Sequence, residues 1–173
     1  MMRKKPMLAY PVSNKPIDYS KPVFMQPKLD GVRCVIQCDD WGGVTAYSRT
    51  GKEWKNIQHV LEQLVPFFEK YPNVILDGEL YNHDFKDDFE QIISMVRKTK
   101  PTDEARLISA ENVQFHCYDI IDEKLPFNQR IEFVTESLML LGDSIHTVDT
   151  VQIPNQFEAE EMHEVNMNSG FEG

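Results

Sequence analysis

The arrangement of apolar and polar positions divides the chain into short strands and amphipathic helices. Between Val23 and Ser48, "VFMQPK", "VRCVIQC" and "VTAYS" carry the β-branched and aromatic residues of three strands, separated by the turn-forming "LDG" and "DDWGG". On this reading Lys28 ends the first strand. Ile57, Val60, Leu61, Leu64 and Phe68 then recur at helical spacing, with Asn56 as the cap and Pro66 as a kink. "VILDGEL" from Val74 predicts a strand that ends in Asp-Gly-Glu, repeating the charged strand end at Lys28. Phe89, Ile92, Ile93 and Val96 form one stripe of a helix, and "VQFHCYDII" from Val113 predicts a further strand. Ile131, Val134, Leu138 and Leu141 predict a helix stopped at Gly142, "IHTVDTVQI" a single strand, and the segment from Asn155 to Gly170 a last, capped helix. This alternation has no regular βαβ period and no Gly-rich phosphate loop, so it predicts a mixed α+β domain with largely antiparallel sheets flanked by helices.

Composition narrows the class. A length of 173 residues, 41% of them hydrophobic, suffices for one domain with a substantial core. The N-terminal "MMRKKPMLAYP" lacks the apolar run of a secretory signal, and no stretch approaches the roughly 20 apolar residues of a membrane span. A cytoplasmic protein without membrane contact is therefore expected. Three cysteines without a C-x-x-C pair favour neither a disulfide framework nor a zinc site. The net charge of −10 argues against a general electrostatic grip on nucleic acid, so any such contact must be local.

The chemistry centres on "QPKLDGVRCVIQC", where one lysine precedes an Asp-Gly pair. A lysine nucleophile needs a fixed position and surroundings that make its neutral amine accessible, because its ordinary pKa is about 10.4. Singly, Lys28, Asp30, Arg33, Arg49, Glu79 and Tyr118 each have an ordinary structural explanation. Their joint order does not. "KLDGVR" from Lys28, "SRTGK" from Ser48, "LDGELY" from Leu76 and "FHCYDII" from Phe115 resemble, in order, the motifs of the ATP-dependent DNA ligases. These belong to the covalent nucleotidyltransferases, with RNA ligases and mRNA capping enzymes. "KPMLA" from Lys5 is similar to the opening strand of many such ligases, and "LPFNQR" from Leu125 also occurs among them.

The resemblance implies a nucleotidyltransferase, ATP-grasp-like ligase adenylation fold. It also implies a reaction in which Lys28 attacks the α-phosphate of ATP, holds AMP as a lysyl adduct and passes it to the 5′-phosphate of nicked double-stranded DNA. Gln26 would meet the adenine edge and Asp30 would orient the lysine turn. Arg33 would contact the ribose, and Arg49 would hold a phosphate of the nucleotide or of the nick. Glu79 would bind the ribose hydroxyl or a metal, Tyr118 would stack on adenine, and Glu172 would join Glu79 as a ligand of magnesium. Base stacking on an aromatic ring is worth roughly 1–3 kcal/mol. The form of "SRTGK" and "DGELY" resembles DNA ligases more than RNA ligases or capping enzymes. A non-catalytic fragment that at most binds adenine nucleotide is the alternative from another class.

"SGFEG" at the end resembles the opening of the family's fourth motif, so residues 1–173 are expected to form a single, incomplete adenylation domain without an OB-fold domain. The fifth motif, with two phosphate-gripping lysines, has no counterpart. A complementing C-terminal ligase fragment is then an expected partner.

Overall fold

The structure, a computed structural model, describes residues 1–173. Its elements in chain order are β1 (Val23–Met25), β2 (Val32–Cys38), β3 (Val44–Tyr47), α1 (Gln58–Gln63), α2 (Val65–Lys70), β4 (Ile75–Tyr81), α3 (Phe89–Val96), α4 (Asp103–Asn112), β5 (Gln114–Ile120), α5 (Phe127–Leu138), β6 (Ile145–Thr147), β7 (Val151–Ile153) and α6 (Gln156–Asn168). A single 3-10 turn, His83–Phe85, follows β4. No helix is long and apolar enough to cross a membrane.

Five strands form the main sheet in the order β3-β2-β4-β5-β6, antiparallel except for the parallel pair β5–β6. The period-2 pattern sorts its two faces. Cys34, Ile36, Leu76, Leu80, Phe115 and Cys117 point into the apolar core, which α1, α2, α3 and α5 close with Val60, Phe67, Ile92, Val96, Val134 and Leu138. The alternate residues Arg33, Asp77, Glu79 and Tyr81 fall on the opposite, polar face.

A buried ion pair fixes α5 to the sheet. Arg130 donates Nε and a terminal nitrogen to the two carboxylate oxygens of Asp119, at 2.7 and 2.9 Å, and a further N–H to the Leu125 carbonyl. This explains "LPFNQR": the helix start and the arginine that anchors it lie within six residues. Burial resists the charge on Arg130, but the hydrogen bond to Asp119 is the larger effect and raises its pKa.

Several expectations are corrected. Strand β1 stops at Met25, so Lys28 does not end a strand but lies in the extended segment beyond it. Asp77-Gly78-Glu79 lies inside β4 rather than at its end. A Cβ at Gly78 would meet the His116 carbonyl at 2.4 Å and the Phe115 ring at 2.6 Å, so this glycine serves close strand packing rather than a turn. Residues 145–153 form two strands, because β6 joins the main sheet while β7 pairs with β1 in a separate two-stranded sheet. Asn56 does not cap α1. It is buried and donates to the Met95 and Ala105 carbonyls, tying the α1 entrance to α3 and α4. The helix before Gly142 ends earlier, at Leu138, with Leu140 at φ 72°. Residues 5–9 form no strand. Pro66 does break the 58–70 helix, entering the first turn of α2, and Asn155 caps α6 through the Glu158 N–H.

Two predictions follow from this packing. Arg130→Ala leaves Asp119 buried without its cation and should lower the unfolding free energy by about 3–5 kcal/mol, read by urea titration. An unchanged midpoint would mean that the pair does not anchor α5. The second concerns His116, half-buried and stacked on His146 with ring centroids 4.7 Å apart. Burial, then His146 and His83, push its pKa down to about 3, so the folded chain keeps it neutral. The unfolded chain takes up that proton below about pH 6.5. Stability present above this value should therefore fall with acidification, by at most about 1.4 kcal/mol per pH unit from this group. His116→Gln should flatten that limb of the stability–pH curve, and an unaltered slope would exclude His116 as its source.

Candidate active site

Two strands and the extended segment after β1 converge at Lys28. Gly31 explains the Asp-Gly of "KLDG" in steric terms, since a Cβ there would meet the Leu80 carbonyl at 2.5 Å and the Glu79 Cγ at 2.7 Å. Only a bare backbone lets the chain pass this close to β4 and still enter β2 at Val32. Lys28 itself exchanges backbone hydrogen bonds with the 172–173 segment, its N–H donating to the Gly173 carbonyl at 2.6 Å and its carbonyl accepting from the Glu172 N–H at 3.0 Å. The same contact seats the Glu172 carboxylate against Nζ as an ion pair, on the solvent side of the site.

The register of β2 against β4 sets Arg33 opposite Glu79. Arg33 nevertheless gives its fork to Asp77, with Nε at 3.0 Å and a terminal nitrogen at 2.6 Å from the two oxygens, while its guanidinium carbon stands 5.8 Å from the Tyr118 ring centre. Burial opposes the Arg33 charge, but the Asp77 hydrogen bond and charge outweigh it and raise its pKa. Asp77 is pushed up by its own burial against the pull of Arg33. The sequence reading missed Asp77, although its place two residues before Glu79 puts both on one face.

With Arg33 engaged elsewhere, Glu79 has no hydrogen-bonded or ionic partner in the protein. Burial, then the charge of Asp77 and more weakly Asp30, outweigh the attraction of Arg33 and Lys28 and push its pKa up to about 8. A half-buried carboxyl in this state gains from an arriving cation or hydroxyl donor. Asp30 is exposed beside Lys28 and Glu79, and makes no side-chain hydrogen bond.

Tyr118 reaches the site through an irregularity. Asp77 pairs with Asp119 but Gly78 with Cys117, so Tyr118 is the extra residue of a β-bulge. Bulges re-aim a side chain beside a site. Burial, then Asp77 and Glu79, hold its phenol pKa well above the ordinary value. Gln26 lies next to it, donating its side-chain amide to the Tyr118 carbonyl at 3.0 Å and the Thr150 hydroxyl at 2.9 Å. Its side-chain donor is thus used within the fold. The structure therefore brings Gln26, Lys28, Asp30, Arg33, Glu79, Tyr118 and Glu172 to one place.

Arg49 stands apart, on the tight turn after β3. Ser48 N–H donates to the Lys52 carbonyl, Gly51 N–H to the Ser48 carbonyl, and Gly51 sits at φ 86°. This turn borders a cleft of about 600 Å³ whose floor includes Gly31, Arg33 and Glu79. Arg49 thus shares this cleft with Arg33 and Glu79. The carboxylates form no cluster of three or more metal-ligating side chains.

Comparison with known proteins identifies the family and the fold. The family model described as the ATP dependent DNA ligase domain matches residues 6–173. A DNA ligase of African swine fever virus (isolate Tick/South Africa/Pretoriuskop Pr4/1996) is 29% identical over 155 residues, covering 87% of this chain and 35% of the viral protein. The chain thus spans about a third of the length of the curated relatives it matches. A solved Lig E DNA ligase superposes with a TM-score of 0.71 at 21% identity, over 99% of this chain and 60% of its own. The Chlorella virus DNA ligase–adenylate does so with a TM-score of 0.64 at 19% identity, over 98% and 59%. The fold is theirs, and with the family model matching nearly its whole length, the chain belongs to the ATP-dependent DNA ligase domain family.

Proposed function

We propose that this chain carries the nucleotide-activating part of an ATP-dependent DNA ligase, with Lys28 as the nucleophile. The observation that carries the reading is the convergence of Lys28, Glu79, Arg33 and Tyr118 on the polar face of one sheet, within the motif order of the family. In the first step the Lys28 amine attacks the α-phosphorus of ATP. A P–N bond forms, the P–O bond to pyrophosphate breaks, and the amine proton leaves to solvent. An amine held as the cation of an ion pair has no free lone pair, so the Glu172 contact must open when ATP enters. The close approach at Gly31 holds the lysine turn against β4, and Asp30, exposed beside Lys28, is the turn's free carboxylate. The bulged Tyr118 offers a ring face to adenine, and the backbone beside Gln26 offers it an edge. Arg33, preorganised by Asp77, turns its remaining N–H groups toward the sugar.

Magnesium fits the donor set, since Glu79 is a carboxyl without a protein partner and Glu172 a second one at the nucleophile. Magnesium commonly takes one or two carboxylates and completes its shell with water and substrate phosphates, so no protein cage is needed. When bound, it neutralises charge on the phosphates. Transfer of AMP to the 5′-phosphate of nicked double-stranded DNA, and sealing by the 3′-hydroxyl, are the steps for which we invoke the further length found in the relatives. The reading puts its work in the cytoplasm of a bacterial or virus-infected cell; the viral relatives support a virus-infected cell.

The test is intact mass after incubation with magnesium and ATP or GTP. A gain of one AMP from ATP, no gain from GTP, and no gain in Lys28→Ala are expected. An unmodified but folded parent would contradict the reading, and GMP transfer would reassign the chain to the capping enzymes.

A further inference from the structure

The Glu172 carboxylate meets Lys28 at the surface, where a side-chain ion pair by itself holds little. The backbone that carries it is held from behind, by residues outside the site. Helix α6 runs into a left-handed glycine, Gly170 at φ 89°. The Gly170 N–H donates to the Met167 carbonyl at 3.0 Å and the Phe171 N–H to the Asn166 carbonyl at 3.1 Å, the two bonds of a Schellman ending. In such an ending the residue in the place of Phe171 commonly makes an apolar contact with the one in the place of Asn166. Asn166 is polar, and the Phe171 ring lies on His83, with centroids 4.7 Å apart and planes at 37°.

His83 opens the 3-10 turn after β4 and is engaged at both ring nitrogens. The Ser169 carbonyl can only accept, so Nε2–H donates to it at 3.1 Å. Nδ1 then accepts from the Tyr81 hydroxyl at 2.6 Å. Tyr81 is fixed in turn, since it is buried at the end of β4 and its ring meets His116 edge-on at 5.3 Å. Burial, then the charge of Asp30, push its phenol up to about 12, so the hydroxyl keeps the proton it donates. Lys86, the residue after the same 3-10 turn, lays its stem over Gly170, where a Cβ would meet its Cδ at 2.6 Å. A continuous line of contacts thus runs from the buried end of β4 through Tyr81, His83 and Phe171 to Glu172 and Lys28.

We infer that His83 is a positioning residue for the nucleophile, fixing the backbone at 169–172 so that the Glu172 carboxylate can leave Lys28 when ATP enters without losing its place. The inference rests on the ligase reading above and extends it to a residue outside the family motifs. Lys28 and Glu172 stand 144 positions apart and are joined by two backbone hydrogen bonds, Lys28 N–H to the Gly173 carbonyl and Glu172 N–H to the Lys28 carbonyl. That joint does not depend on what the carboxylate binds. His83 keeps it closed, acting through the Phe171 ring and the Ser169 carbonyl.

The test reads the joint without ATP. Amide exchange of the full chain is followed by NMR at Lys28 and Glu172 in the parent, His83→Ala and Tyr81→Phe. Limited acetylation with N-hydroxysuccinimidyl acetate is mapped by mass spectrometry in parallel, with the other lysines as internal reference. His83→Ala should speed exchange at both amides by at least about fivefold, as for one hydrogen bond lost, and leave the amides of β2, β4 and β5 unchanged. Tyr81→Phe, which keeps the His83 ring but frees it, should give a smaller change at the same two amides. Acetylation of Lys28 should rise about two- to fivefold in His83→Ala as Glu172 lets go. In adenylation read by intact mass, the magnesium giving half the maximal rate should rise by about fivefold, with the maximal rate within about twofold of the parent. Unchanged exchange at Lys28 and Glu172 in His83→Ala overturns the inference. Faster exchange spread over the whole sheet does so too, for it makes His83 a residue of general stability. A parent that is not adenylated would sink the ligase reading alone, while exchange and acetylation still decide the role of His83.

Discussion

The antiparallel register of β2 against β4 is the constraint on which the site depends. It places Arg33 opposite Glu79 and lets the Arg33 fork reach Asp77 two residues along. A slip by one residue would turn Arg33, Asp77 and Glu79 into the core and bring Cys34 and Leu76 out to water. The apolar face thus enforces the polar one: Ile36, Leu80 and Phe115 must be buried, so their neighbours must face the site. Gly31 and Gly78 are the places where this arrangement brings backbones too close for any side chain.

Within that frame the charges are divided by use. Arg33–Asp77 and Arg130–Asp119 are paired, partly desolvated and structural, and their worth lies in orientation. Glu79, Arg49, Lys52 and Arg97 take part in none of the ion pairs and line one cleft. The Lys28–Glu172 pair lies between these classes, bonded yet at the surface, so little energy opposes its opening. The proposed first step, in which ATP enters and pyrophosphate leaves, needs such exchangeable contacts beside rigid ones.

The strands β2, β3 and β5 and the helices α3 and α6 were legible in the sequence because their periods are local properties of consecutive side chains. The motif residues were legible because their order along the chain is itself a signal. What escaped depends on partners distant in sequence. The role of Asn56 emerges only when α3 and α4 arrive beside it. Helix α4 went unread because its face buries only Ala105 and Ser109 and shows no apolar stripe, although Thr102 with Asp103 and Glu104 in the first turn marks its start. The division of residues 145–153 between two sheets depends on β1 and β5 as partners. The cleft that joins Arg97 to Arg49 and Lys52 was equally hidden, because they lie more than forty positions earlier.

The central claim is that Lys28 carries the nucleotide. It is tested most directly by incubating the chain with ATP and magnesium, digesting it, and locating the AMP-bearing peptide by mass spectrometry. The account predicts the adduct on the lysine of "QPKLDGVR", joined through its Nζ. An adduct on any other lysine would contradict it.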